Sequence, residues 1–378
     1  MDDMENQLKI RPLQYVFLLS EFNHSNQIET ILQCCVAEGI EIQVIYIGEK
    51  SSFYAFLEEK RIPSTFIAVE TKRLLQLFIL LRSFARVSGT TKLFVSGQRA
   101  SSLALIVTYF FRIQFVVWRH HADIHLVRNL FVPRLLDKLL CFRSRKILAV
   151  SAHHKQYLVS SEKLPDKKIE IMPGGFNLDE FLEYRQSSRK RNFHSSQKRV
   201  EIKFGVCSRL VFEKGVQHII AAFSEFLSLG HMGCLLIRGD GPYKEKLLRN
   251  LPAEIRNKIQ FIDRVPTPLD FYSSIDVFIH VPIHENTESL GMVYLEGMAA
   301  GIPCIFTKSG VLNDLPNVEE YIRIVPFSDP KSILDNMITF SERLKFTSQF
   351  NPYPEEFLDQ FSLNQLPSRF RSINELFN

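Results

Sequence analysis

The feature that most restricts this chain is the alternation of short, uniformly apolar runs with longer segments of helical periodicity. Residues 15–19, 42–47, 66–69, 93–96, 115–118 and 146–150 read as strands whose side chains are apolar on both faces. Such a strand must be covered on both sides, which parallel βαβ units achieve by laying helices above and below a sheet. A second series, 203–206, 234–237, 259–262, 277–280, 304–307 and 322–325, repeats the pattern. The expected class is therefore α/β, with two Rossmann-like, doubly wound parallel sheets facing across a cleft. At 378 residues and 46% hydrophobic, the chain is long for one core and rich enough for two.

The expected division is a first domain over residues 1–185, a polar and basic linker at 186–199, and a second domain over 200–350. Residues 351–378 follow Pro352 and Pro354 with helical spacing and should form terminal helices that turn back toward the first domain. The amino end carries Asp2, Asp3 and Glu5, without the basic-then-apolar pattern of an export signal. The most apolar stretches are interrupted by Gln76, Arg112 and Gln114, so no membrane span is expected. The six cysteines are scattered with no metal-ligand spacing, which suits reduced thiols in the cytoplasm.

Charge is unevenly placed. Residues 1–200 hold 29 Lys and Arg against 19 Asp and Glu, and residues 201–378 hold 17 against 22. A basic half can attract anionic lipid, nucleic acid or an acidic saccharide, and charge alone does not choose among them. In Lys72 to Arg82, followed by Arg86, cations flank an apolar run. That run reads either as a core helix with wet ends or as a segment meeting an anionic membrane surface.

Ligands bind at the carboxyl ends of parallel strands, so the motifs there carry the chemistry. After the 277–280 run come Glu288, Leu290, Gly291, Met292 and Glu296, then Gly297 and Gly301. Two carboxylates eight residues apart, if helical throughout, span about 12 Å, enough to reach from a sugar across a diphosphate to a ribose. Gly291 at the helix start would let backbone N–H groups approach phosphate with the helix dipole behind them. After the 203–206 run, Arg209 and Lys214 supply a guanidinium fork and a point charge for phosphate. Gly239, Asp240 and Gly241 make a tight turn after the 234–237 run and would wall the same pocket. His120 and His121 close the 115–118 run, where an imidazole would hydrogen-bond a sugar hydroxyl or serve as a structural group.

From about Phe115 to about Ile305 these motifs resemble the family-four retaining glycosyltransferases of the GT-B fold. The resemblance implies that Glu288 contacts the donor hexose, Glu296 the ribose, and Arg209 with Lys214 the diphosphate. It places His120 at the active-site histidine, with His121 as the alternative register. It also implies a metal-free reaction without a cofactor, a UDP- or GDP-linked donor, and a saccharide or lipid-linked saccharide acceptor in surface polysaccharide synthesis. Nucleic acid is not an expected partner, and peripheral contact with the cytoplasmic membrane face is. The first loop, residues 20–26, has no glycine where the family carries a pair, and Ser208 and Ser289 replace two family glycines. The competing reading is a protein on the same scaffold that binds nucleotide-sugar without transfer, or a hydrolysing epimerase. No Gly-x-Gly-x-x-Gly follows the first run, which disfavours a dinucleotide oxidoreductase.

Overall fold

The computed structural model describes the chain apart from residues 1–14, 21–25, 69, 85–90, 112, 120–130, 193–200, 263–266, 345–349 and 377–378. Both series of apolar runs form all-parallel sheets. The first contains β1 (Tyr15–Ser20), β2 (Ile42–Gly48), β3 (Ser64–Ala68), β4 (Lys92–Ser96), β5 (Gln114–Arg119), β6 (Lys146–Ala149) and β7 (Ile169–Ile171) in the order β3-β2-β1-β4-β5-β6-β7. The second contains β8 (Ile202–Cys207), β9 (Gly233–Arg238), β10 (Ile259–Ile262), β11 (Val277–His280), β12 (Cys304–Phe306) and β13 (Arg323–Ile324) in the order β10-β9-β8-β11-β12-β13. Each sheet reverses direction beside its first strand, between β1 and β4 and between β8 and β11. These are the topological switch points at which α/β sheets open a ligand crevice.

The pleat of β1 shows how the first domain is layered. Tyr15, Phe17 and Leu19 pack with Ile28, Ile31 and Leu32 of α1 (Asn26–Ala37) and with Phe53 and Leu57 of α2 (Ser52–Glu59). Val16 and Leu18 face the other way, onto Leu80 and Phe84 of α3 (Arg73–Phe84), Ala104 and Val107 of α4 (Gln98–Phe111) and Leu140 of α5 (Phe131–Arg143). Period-two alternation thus sends every second side chain into a different core. In α3, Gln76 and Leu80 turn inward while Leu75 and Phe78 face solvent, so the run is neither wholly core nor wholly surface.

After β6, α6 (Ala152–Ser160) leads to β7, a three-residue strand too short to leave a periodic signal in the sequence. The next helix, α7 (Leu178–Asn192), extends seven residues into the segment expected to be an irregular linker. Leu178, Phe181, Leu182 and Arg185 recur at helical spacing and bury one face, partly against Tyr272 of the second domain, and this anchor carries the polar end of the helix with it. Residues 193–199 of that segment lie outside the described residues.

The second domain layers α8 (Val216–Ser228) and α12 (Pro330–Leu344) against one face of its sheet. It also contains α9 (Lys244–Arg249), α10 (Pro268–Ser273) and α11 (Met292–Ala300). The chain then returns through α13 (Glu355–Asp359) and α14 (Leu366–Leu376) to the first domain. Phe176 N–H donates to the Phe361 carbonyl and Leu363 N–H to that of Phe176. From α14, Phe370 enters the aromatic core beneath β1, 5.4 Å from Tyr15, 5.9 Å from Phe17 and 6.2 Å from Phe94.

Phe370→Ala should therefore destabilise the first domain, although the residue lies at the opposite end of the chain. A fully buried Phe→Ala change costs about 3–5 kcal/mol. The single tryptophan, Trp118, stacks edge-on against Phe94 at 5.8 Å and reports on this core. A fall of that size in urea denaturation followed by Trp118 fluorescence is the expected result, and an unchanged midpoint would show the terminal helix to be dispensable.

Candidate functional site

At the second switch point the loops after β8, β9 and β11 converge, and close backbone approach joins the first two. Gly239 and Gly241 sit against the chain at Ser208 to Leu210; a Cβ on Gly239 would fall 1.9 Å from the Ser208 carbonyl oxygen. Leu210 N–H donates to the Asp240 carbonyl at 2.8 Å, and Tyr243 N–H to that of Leu210 at 3.0 Å. The glycine turn thus fixes the loop carrying Arg209. Asp240 contributes its backbone to this joint, while its side chain is exposed. Arg209 is exposed on the loop, free to reach an anion entering the crevice.

Lys214 and Glu288, 74 residues apart, meet directly. Lys214 Nζ lies 2.5 Å from Glu288 Oε1, and both side chains are about nine-tenths shielded, at 15% and 13% exposure. A second donor, Nε2 of His280 at the end of β11, lies 2.7 Å from the same oxygen. Glu288 N–H donates to Ser309 Oγ, which in turn donates to the Glu285 carbonyl. Burial works to raise the Glu288 carboxyl, but the Lys214 charge and the hydrogen bonds from His280 and Lys214 outweigh it, taking the group from its ordinary 4.5 to about 2. Burial lowers His280 against the opposing pull of Glu288, which favours the neutral ring.

Glu288 does not lie on a helix. Gly291, in the left-handed region at φ 81°, caps α11, which starts at Met292 and ends at Gly301. The two carboxylates therefore differ in setting, with Glu288 on a fixed loop and Glu296 in the second turn of α11. Glu296 Oε2 accepts from Tyr272 Oη at 2.8 Å, and burial raises its carboxyl against the opposing hydrogen bond and the Arg238 charge. Leu290 is buried and its carbonyl accepts from Val311 N–H, which ties the Glu288 loop to the turn after β12.

The structure thus brings together Lys214, Glu288 and the glycine-joined Arg209 loop. His120 and His121, most of the glycine-less first loop and Arg86 lie outside the described residues. Two further residues of the site, His280 and Tyr272, carry no motif in the sequence. His280 did leave a signal, being the polar residue that ends an otherwise apolar strand, whereas Tyr272 shows its role only once α10 and α11 are packed together. The six cysteines are free thiols. Among the described residues, no helix is long and apolar enough to cross a membrane.

Residues 188–355 match the family described as Glycosyl transferases group 1. An O-antigen biosynthesis glycosyltransferase, WclY of Escherichia coli, is 24% identical over 218 residues, 57% of this chain and 58% of its own length. An alpha-monoglucosyldiacylglycerol synthase of Streptococcus pneumoniae is 30% identical over 167 residues, 42% of this chain and 36% of its own. The chain thus spans little more than half the length of the former and about a third of the latter. In three dimensions it resembles Anabaena HepE, solved in complex with UDP-glucose, at a TM-score of 0.74 and 14% identity over 96% of this chain and 99% of that one. The fold is GT-B, and the match to the glycosyl transferases group 1 family lies chiefly in the second domain.

The depressed Glu288 carboxyl has a consequence for stability. Its contribution, roughly 3 kcal/mol for a shift from 4.5 to about 2, is present above pH 4.5 and is lost as pH falls toward 2. Glu288→Gln should accordingly be less stable than wild type at pH 7, with the gap closing between pH 4.5 and 2. Urea midpoints at pH 7 and pH 3 measure this, and a pH-independent gap would contradict it.

Proposed function

We propose that the chain is a retaining, metal-independent glycosyltransferase that moves a hexose from a UDP- or GDP-linked donor to a saccharide or lipid-linked saccharide acceptor in surface glycan synthesis. The observation that carries this is the shielded Lys214–Glu288 pair at the second switch point, beside the capped start of α11. In this reading residues 1–185 form the acceptor side and 200–350 the donor side. The diphosphate enters between Arg209, Lys214 and the backbone N–H groups at Gly291 and Met292, where two cations and a helix amino end oppose its charge. Glu288 orients the hexose, Glu296 holds the ribose, and Gly239 to Gly241 wall the nucleotide. The acceptor hydroxyl attacks on the face the diphosphate leaves, with the departing phosphate as base, so no protein nucleophile is required. His120 is assigned to the donor sugar from the family resemblance. The O-antigen and glycolipid assignments of the relatives, and the UDP-glucose bound by HepE, agree with this donor and acceptor class.

Nucleotide release from a panel of UDP- and GDP-sugars, with and without acceptor, tests the reading, and acceptor-independent release would favour the hydrolytic alternative. With the donor identified, Lys214→Ala and Glu288→Ala should each lower turnover about 10²- to 10³-fold, the usual loss for one charge-stabilising group. Turnover should persist in EDTA. Near-native rates in either variant would remove that residue from the mechanism, and a strict Mg²⁺ or Mn²⁺ requirement would remove the metal-free assignment.

A lipid-linked acceptor requires approach to a bilayer, and one face of the first domain suits that. On the outer surfaces of α3, α4 and α5, Phe78, Tyr109 and Phe110 are 62–68% exposed, with Leu75, Leu135, Leu139 and Phe142 also outward. Arg82, Arg99, Lys138 and Arg143 stand among them. Residues 51–150 as a whole hold 16 Lys and Arg against 5 Asp and Glu. Aromatic side chains at the headgroup boundary, with cations worth about 1 kcal/mol each near anionic lipid, would give peripheral binding that salt weakens. In co-sedimentation the protein should bind phosphatidylglycerol vesicles at low salt but not phosphatidylcholine vesicles, and Phe78→Glu with Phe110→Glu should abolish binding. Equal binding to both lipids, or to neither, would contradict the assignment.

A further inference from the structure

Lys214 is given two partners by the preceding reading. Without donor it pairs with Glu288; with donor it turns to the diphosphate, and Glu288 then loses its cation at the moment it must hold a hexose. Something fixed has to keep the carboxylate in place. We infer that His280 is the positioning residue that does so, donating its Nε2–H to Glu288 Oε1 throughout and leaving Oε2 to the sugar. This deepens the transferase reading and rests on it.

The geometry supports a fixed donor. His280 is 1% exposed and ends β11, so its backbone is held in the sheet. Its ring lies parallel to that of Phe278, at 2° and 6.5 Å, and edge-on to Tyr294 at 4.9 Å, so two aromatic neighbours help to set its orientation. Tyr294 is itself tied by its hydroxyl to the Thr307 carbonyl. The Nδ1 atom is buried with no hydrogen-bond partner among the described residues. With one nitrogen facing a carboxylate and the other facing no group, the proton of a neutral imidazole belongs on Nε2.

Among the described residues, the charged group against the His280–Glu288 pair is Lys214, with the Ser309 and Tyr294 hydroxyls at its edge. Against them, burial favours the neutral ring. A neutral donor holds the oxygen by a hydrogen bond alone and does not compete as a second cation with Lys214, which balances the carboxylate when no donor is bound.

The test compares His280→Gln, whose amide can donate to Glu288, with His280→Phe, which fills the space but cannot donate. Once wild type has been shown to release nucleotide from a UDP- or GDP-sugar, His280→Phe should lower kcat about 100-fold while its affinity for the free nucleoside diphosphate, UDP or GDP, stays within about twofold. His280→Gln should recover kcat to within about fivefold of wild type. A His280→Phe enzyme with near-native kcat would overturn the inference. So would equal losses in both variants together with lost UDP or GDP binding, since that is the pattern of a merely structural residue. Independently of either variant, ¹⁵N NMR of histidine-labelled wild type should show a neutral, Nε2-protonated His280 both free and with UDP or GDP bound. An imidazolium, or the Nδ1–H form, in the bound state would refute it. A wild type inactive with every donor would instead refute the transferase reading on which the inference rests.

Discussion

Two-sided burial of parallel strands is the constraint from which the rest of the molecule follows. A strand such as β1, buried at all six positions, can exist only with a helical layer above and below it. Once both faces of both sheets are covered, polar side chains can gather only at strand ends, and the crossovers that cover the sheets leave their widest gap at the switch point. Arg209 and Lys214 leave β8, and Glu288 follows β11, the two strands that flank that gap in the second domain. The location of the chemistry is thus a consequence of hydrophobic layering and owes nothing to any preference of the charged residues themselves.

Within the gap, the arrangement is held by electrostatics in a shielded setting. A carboxylate as buried as Glu288 is costly unless it is paired and hydrogen-bonded. Lys214 and His280 meet that requirement at the carboxylate, which is why the group stays ionised in spite of burial, while Ser309 Oγ accepts from the Glu288 backbone N–H and fixes the loop. Glu296 illustrates the opposite balance. It has a hydroxyl donor from Tyr272 but no cation within salt-bridge distance among the described residues, and burial raises it. Two carboxylates eight residues apart therefore sit in different electrostatic states, one tuned to keep its charge and the other eased toward losing it.

Much of this was legible in the sequence because the signals were local. Twelve apolar runs marked twelve strands to within two residues at either end, and the spacing of Arg209, Lys214, Glu288 and Glu296 singled out residues of which two meet in space. What failed to show required either a backbone conformation or a tertiary neighbour. Gly291 stands at the helix start, as its place in the motif suggests, but its left-handed φ, which a glycine does not announce, sets Glu288 on a loop, so the two acids are not spaced along one helix. The helical extension past residue 186 depended on Phe181 finding Tyr272 across the domain boundary, a contact no local pattern contains. His280 stood in plain view at a strand end, yet its meaning came only with a carboxylate folded back against it.

The same long-range logic governs the meeting of the two domains. The first turn of α6, in the first domain, is capped by its own Ser151 and held further by the second domain. Ala152 and His153 N–H groups donate to the two oxygens of Asp314, each at 2.8 Å, and Ser151 Oγ donates to the Ser289 carbonyl at 2.6 Å. His153 Nε2 lies 3.0 Å from Asn286 Oδ1. Asp314 thereby completes a helix amino end with a full negative charge, where the macrodipole favours one. Asn286 and Ser289 bracket Glu288 in sequence, and Asp314 ends the turn on which Leu290 is tied. A separation of the domains must break these bonds, which reach residues on both sides of Glu288 in the chain, so the loop that carries the carboxylate also forms part of the domain contact.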